Sequence, residues 1–110
     1  MILKDGIKGA EAEGKEKHVP TIKLESDGIT VVVGDETPHP NTQEHYIAWV
    51  ELYAVKKGDN KVTQIGRNEW YPTLANPTAR FHILNMDAYE SFHALSYCNI
   101  HGLWQNSVSR

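Results

Sequence analysis

The 110-residue sequence predicts an all-β fold, an antiparallel β-sandwich of about seven short strands in one domain. Three observations predict it. From Pro20 onward, short runs rich in β-branched and aromatic residues dominate the chain. Clusters of Gly, Pro, Asn and Asp separate those runs, and such residues favour turns. The length suits a single domain that can bury a core without disulfide staples.

The elements follow in order. Residues 1–17 are rich in Lys, Glu and Gly and read as a solvated N-terminal arm or surface loop, with at most one weak helical turn. Pro20 ends the arm. "TIKLE" (Thr21–Glu25) alternates and leads into the turn Ser26-Asp27-Gly28. "ITVVVG" (Ile29–Gly34) is β-branched and reads as a buried strand. The stretch Gly34–His45 holds two prolines and several turn formers, so it is a loop. "YIAWVELYAVK" (Tyr46–Lys56) is a long strand. Simple alternation puts Ile47, Trp49, Glu51, Tyr53 and Val55 on one face and Tyr46, Ala48, Val50, Leu52 and Ala54 on the other.

Lys57–Lys61 turns. Val62–Tyr71 is a strand in which Gly66 marks a bulge. After the loop Pro72–Thr78 come strands at Ala79–Asn85 and Ser91–Cys98, joined by a turn at Met86–Glu90. Leu103–Ser109 is the last strand. Short strands at this spacing match a sandwich of immunoglobulin type. No internal repeat or low-complexity block interrupts them.

Composition excludes several classes. The chain is 40% hydrophobic and 23% charged, which is ordinary for a globular protein, and its formal net charge is −3. Nothing there suggests broad binding to nucleic acid or to an acidic membrane. No apolar run is long enough to cross a bilayer, and the N-terminus is too polar for a signal peptide. The expected setting is therefore cytoplasmic. Cys98 is the single cysteine and has no internal disulfide partner. It packs as an inert small hydrophobe, reacts, or binds metal.

The histidines favour metal. Of the six, His82 and His93 fall inside strands, on one face or the other of a sheet. His18, His39, His45 and His101 fall in loops or at strand ends, where side chains can converge. Cys98 ends a strand and His101 follows three residues later, so both can reach one ion across a tight turn. The backbone N–H groups after Cys98 can point at its sulfur and temper a thiolate. Four imidazoles and a thiolate suit a transition metal of intermediate softness and exclude Mg and Ca. Five ligands exceed the four of a structural zinc site. They fall one short of an octahedron, which leaves a position for a substrate. Asn41 and Asn99 read as loop-fixing residues through side-chain to backbone bonds. Trp49, Trp70 and Trp104 read as packing residues, with Trp104 placed close enough to the Cys98 turn to shield a metal.

Taken together, "EKHVP" (Glu16–Pro20), "HPNTQEHYIAWVELY" (His39–Tyr53) and "CNIHGLW" (Cys98–Trp104) resemble the superoxide reductases, the neelaredoxin and desulfoferrodoxin group. The motifs stand in the family's order at compatible separations, and the resemblance runs from about Glu16 onward. It implies an immunoglobulin-like sandwich, often a homotetramer, holding one iron ion. It implies four equatorial histidines at His18, His39, His45 and His101, and an axial thiolate at Cys98. It implies that Glu16 can occupy the sixth position in the ferric state. It also implies that Lys17 attracts superoxide and organises water for protonation.

The implied reaction is one-electron reduction of superoxide (Fe2+/Fe3+) to hydrogen peroxide, with electrons from a small rubredoxin-like protein. Two departures matter little. The four-cysteine second iron site of some relatives cannot form with one cysteine, so the chain resembles the one-iron form. Tyr46 stands where some relatives have a further, non-ligating histidine. Three rival readings remain at this level. A copper electron-transfer sandwich would want a methionine soon after Cys98, and none follows. A zinc-stabilised binding module would show no redox activity. A cysteine hydrolase would need a base and an orienting group that the sequence does not single out.

Overall fold

A computed structural model describes residues 1–12, 18–34 and 39–110. Seven strands account for most of them: β1 (Pro20–Leu24), β2 (Gly28–Val33), β3 (Ile47–Lys56), β4 (Thr63–Glu69), β5 (Thr78–His82), β6 (Tyr89–Cys98) and β7 (Gly102–Ser109). A four-residue helix, α1 (Leu3–Gly6), lies before them. Each strand falls within a few residues of the run that predicted it. β-branched and aromatic residues suit a pleated, half-buried surface, so composition and outcome agree.

The strands form two antiparallel sheets, one ordered β1-β2-β5 and the other β4-β3-β6-β7. Between them lies one core. Ile29, Val31 and Val33 face it from the first sheet, and Val50, Leu52, Ala54, Phe92 and Ala94 from the second. Full burial of a large apolar side chain stabilises by about 1.5–3 kcal/mol. The core therefore supplies the main force holding the sheets together.

Of three register slips along β3, two re-aim side chains that matter here. In β3, pairing with β6 slips between Ile47 and Trp49, so Ile47 faces Cys98 while Trp49 faces Tyr97. The extra residue, Ala48, resets the alternation, and Ile47 joins Val50 on the core side at 1% exposure. Simple alternation had placed Ile47 with Trp49. In β4 a second slip sets Leu52 opposite Gly66 and Tyr53 opposite Gln64, leaving Ile65 as the bulged residue. This is the bulge that Gly66 marked. A side chain at Gly66 would meet the Phe81 ring at 3.0 Å, so the missing Cβ makes room for that ring.

The outer face of the four-stranded sheet carries Trp49, which stacks on Tyr97 at 5.9 Å and lies 4.6 Å from the Arg67 guanidinium. Hydrogen bonds from Arg67 to Glu51 (2.7 Å) and Glu69 (3.1 Å) hold its pKa above the ordinary value. Burial, then the bond of its hydroxyl to Glu51, raises the Tyr53 phenol.

Register decides which strand ends meet. Pro20 at the start of β1 faces Val33 at the end of β2. Ile47 at the start of β3 faces Cys98 at the end of β6, which in turn faces Gly102 at the start of β7. These ends gather at one pole of the sandwich, while Gly28, His82, Lys56 and Ser109 mark the other.

A prediction tests the far pole. A Cβ added at Gly28 would meet the Phe81 carbonyl oxygen and the Arg80 side chain closer than real Cβ atoms come. Gly28→Ala should therefore destabilise the fold by about 1–3 kcal/mol, the usual range for overpacking. Urea denaturation would read this as a lower midpoint at unchanged slope. Metal content per folded chain should not change, because the substitution lies far from the His18 pole.

Candidate metal centre

At the Pro20 and Cys98 pole, four histidines converge with the one cysteine. His18 precedes β1 and is 5% exposed; His39 follows β2 and is 2% exposed; Cys98 ends β6 and is fully buried. His45 lies just before β3 and His101 just before β7. Donor atoms of His18, His39, His45 and Cys98 all lie within 4.8 Å of one another, so the four can hold a single ion. His101 joins them through Nδ1, which lies 2.9 Å from His18 Nε2 and 3.7 Å from Cys98 Sγ.

The rings form a closed cycle. Neighbouring centroids are separated by 4.8 Å (His18–His39), 4.5 Å (His39–His45), 5.1 Å (His45–His101) and 4.6 Å (His101–His18). The diagonal from His18 to His45 is longer, at 6.0 Å. Cys98 Sγ lies 3.7 Å from one nitrogen on each of the other two rings, His39 and His101. Four imidazoles and one sulfur gathered this closely make a donor set that suits a transition metal of intermediate softness.

Local structure holds each donor. His39 N–H donates to the Val33 carbonyl (3.2 Å), tying the loop back to the end of β2. Its ring Nδ1 lies 2.7 Å from the Pro40 carbonyl oxygen. A carbonyl only accepts, so Nδ1 carries the proton and Nε2 keeps its lone pair toward Cys98. Thr42 clasps His45: its hydroxyl accepts the His45 N–H (3.1 Å) and its own N–H donates to the His45 carbonyl (2.9 Å).

Asn99 latches the His45 and His101 loops together. Its Oδ1 accepts the Tyr46 N–H (2.9 Å), and its Nδ2 donates to the Glu44 carbonyl (3.0 Å). Asn41 donates to the carbonyls of Tyr71 and Ala75, fixing the loop after His39. Both asparagines thus play the loop-fixing role their positions suggested. The turn after Cys98 closes because Gly102 takes a φ of +85°, a region that favours glycine. It also brings the His101 N–H to 3.4 Å from Cys98 Sγ, an amide aimed at the sulfur.

One support escaped the sequence reading, and a second was read only in part. Ser96 is fully buried and its hydroxyl donates to the His18 carbonyl (3.2 Å). The signal was present, because Ser96 shares an otherwise apolar face of β6 with Phe92, Ala94 and Cys98. A buried hydroxyl on such a face needs a partner. Trp104 was read as packing that could shield the centre. It is 3% exposed and stacks on His18 at 4.6 Å with an interplanar angle of 12°, which no spacing rule predicts.

His82 and His93 stand apart, as expected. His82 is exposed beside Asp27, and His93 pairs with the Ser91 hydroxyl at 2.9 Å. Glu16 and Lys17 lie outside the described residues.

The geometry is matched by kinship. The family model described as Desulfoferrodoxin matches residues 10–107. The chain belongs to the desulfoferrodoxin family. It is 44% identical to a superoxide reductase of Pyrococcus horikoshii over 97% of each chain. It also matches two solved members of the family. One is a superoxide reductase (neelaredoxin) from Ignicoccus hospitalis, at 32% identity and a TM-score of 0.84, covering 99% of this chain and 97% of the other. The other is a one-iron superoxide reductase from Giardia intestinalis, at 34% identity and a TM-score of 0.82, covering 87% of this chain and all of the other. The all-β sandwich expected from the sequence is thus the fold of this family.

The Asn99 latch can be tested. Asn99→Ala would leave the Tyr46 N–H and the Glu44 carbonyl without these partners, at a cost of about 1–3 kcal/mol. The centre should hold its metal about tenfold less tightly, the lower end of the range for residues that orient ligands. Competition with a chelator measures this, and an unchanged affinity would show that the loops need no latch.

Proposed function

We infer that this protein is a superoxide reductase, an oxidoreductase that reduces superoxide to hydrogen peroxide at one iron ion. The closed cycle of His18, His39, His45 and His101, with the Cys98 sulfur against it, carries that reading. The donor set fits iron: imidazole and thiolate together suit a redox-active transition metal and reject the hard divalent ions. We assign these five residues as the metal ligands. Iron held there would supply the electron for superoxide. In balance, one superoxide takes one electron and two protons and leaves as one hydrogen peroxide.

The chain's own residues prepare that site. Cys98 would hold the iron through its sulfur, and a thiolate donor is one of the protein's levers on an iron centre. The His101 N–H near its sulfur limits how much charge the thiolate releases. The Pro40 carbonyl fixes the tautomer of His39, and Trp104 covers His18 from solvent. Lys17 is the local cation that draws the anionic substrate to a chain of net charge −3 and organises the protonating water. Glu16 is a displaceable carboxylate for the oxidised ion. Both roles rest on the family resemblance of the motif "EKHVP".

An external electron donor must re-reduce the centre, and a small rubredoxin-like iron protein is the class proposed. Residues 1–110 are taken as one iron-binding domain, with residues 1–17 as an N-terminal arm or loop. The assembly proposed is a homotetramer in the cytoplasm. Among the described residues no helix is long and apolar enough to cross a membrane.

Metal analysis of protein purified without added metal, with the oxidised visible spectrum, tests the centre. About one iron per chain and a thiolate absorption band are expected. Cys98→Ser should abolish that band. Zinc in a colourless protein, after mis-metallation is ruled out, would instead support a binding module. Pulsed superoxide mixed with reduced protein should yield peroxide without matching oxygen release. Glu16→Ala should retain most of that activity, whereas Lys17→Ala should slow the reaction at low salt by about tenfold, the lower end of electrostatic steering.

A further inference from the structure

The N-terminal segment does more than trail from the sandwich. After α1 it runs beside β7 and pairs with it in parallel at one point, Lys8 against Trp104. Lys8 N–H donates to the Leu103 carbonyl (3.0 Å), and the Gln105 N–H donates to the Lys8 carbonyl (2.8 Å). Both backbone groups of residue 8 are thereby held.

The side chain then turns toward the metal pole. Lys8 Nζ lies 5.5 Å from the centroid of the Trp104 ring and 3.3 Å from the His101 carbonyl oxygen, to which it donates. Trp104 is the ring stacked on His18. One cation is therefore tied to two of the four imidazoles. It reaches His101 by a hydrogen bond to that residue's backbone, and His18 through a cation–π contact and an aromatic stack. Neither composition nor spacing marks Lys8, which sits in a run of ordinary arm residues.

We propose that Lys8 is a positioning residue of the iron centre: it braces His101 and the Trp104–His18 stack, and it places a fixed positive charge beside the metal. The proposal rests on the reading of this pole as a redox iron site. Two effects follow. A nearby positive charge favours the less positive ferrous state over the ferric one, so it raises the reduction potential. The same charge adds to the local field that draws in superoxide. Lys8 is exposed, so solvent screening keeps both effects modest.

Lys8→Met keeps the backbone pairing and most of the aliphatic stem while removing the charge. Lys8→Arg keeps the charge and the donor. Redox titration of the iron-loaded proteins should show a lower potential for Lys8→Met and a value near wild type for Lys8→Arg. The rate with pulsed superoxide at low salt should fall about two- to threefold in Lys8→Met, with a flatter salt dependence, and recover in Lys8→Arg. Wild-type potential and salt dependence in Lys8→Met would overturn the proposal. So would loss of iron or of the fold that arginine does not restore, since that assigns Lys8 to packing alone. The titration needs no substrate. A wild-type protein that titrates reversibly yet ignores superoxide would therefore sink the functional reading and leave the comparison of potentials to decide the role of Lys8.

Discussion

Four imidazole rings and a buried sulfur have no reason to gather by themselves, because their lone pairs repel and their polar edges prefer water. They gather here because the ends of β1, β2, β3, β6 and β7 meet at one pole, held by two ladders and a shared apolar core. The core cluster itself runs up to the site and includes Ile47 and Cys98. Two ring nitrogens, on His18 and His101, approach to 2.9 Å, a spacing that needs a proton or a cation between them. The fold spends apolar burial to hold a polar arrangement that a metal ion would relax.

Support for that arrangement is backbone-directed. Ser96, Thr42, Asn99 and the His39 ring each bond a main-chain group. Such bonds set where a loop sits, whereas side-chain packing sets only how closely it is covered. Individually each stabilises by about 1 kcal/mol, but a buried partner left unmet costs more. The loops that carry these histidines are therefore positioned by polar groups whose loss is felt twice, once in stability and once in side-chain geometry.

The donor set also separates this centre from the other sandwich chemistries. A copper electron-transfer site would need a methionine near the cysteine. Met1 lies exposed in the N-terminal arm, and Met86 is buried before β6, at the pole away from Cys98. The one sulfur gathered at this pole is that of Cys98, and the nitrogens beside it are those of four imidazoles. That is a richer set than a closed structural zinc site uses.

Much was legible beforehand. Alternation, turn residues and β-branched runs marked every strand, because period-2 burial leaves its trace directly in residue order. Histidines at strand ends and the Cys98–His101 turn pointed to the side chains that the fold gathers at one pole, because donor chemistry belongs to residue type. Other features were out of reach. The slip at Ala48 that turns Ile47 inward depends on its partner strand β6. The order of rings around the cycle, the Trp104–His18 stack and the approach of Lys8 to His101 join residues up to 93 positions apart. The sequence by itself determined which side chains could bind a metal and on which strands they would ride. Only the tertiary structure decided which nitrogen faces which and what braces them, since those follow from inter-strand register and loop closure, which no local pattern encodes.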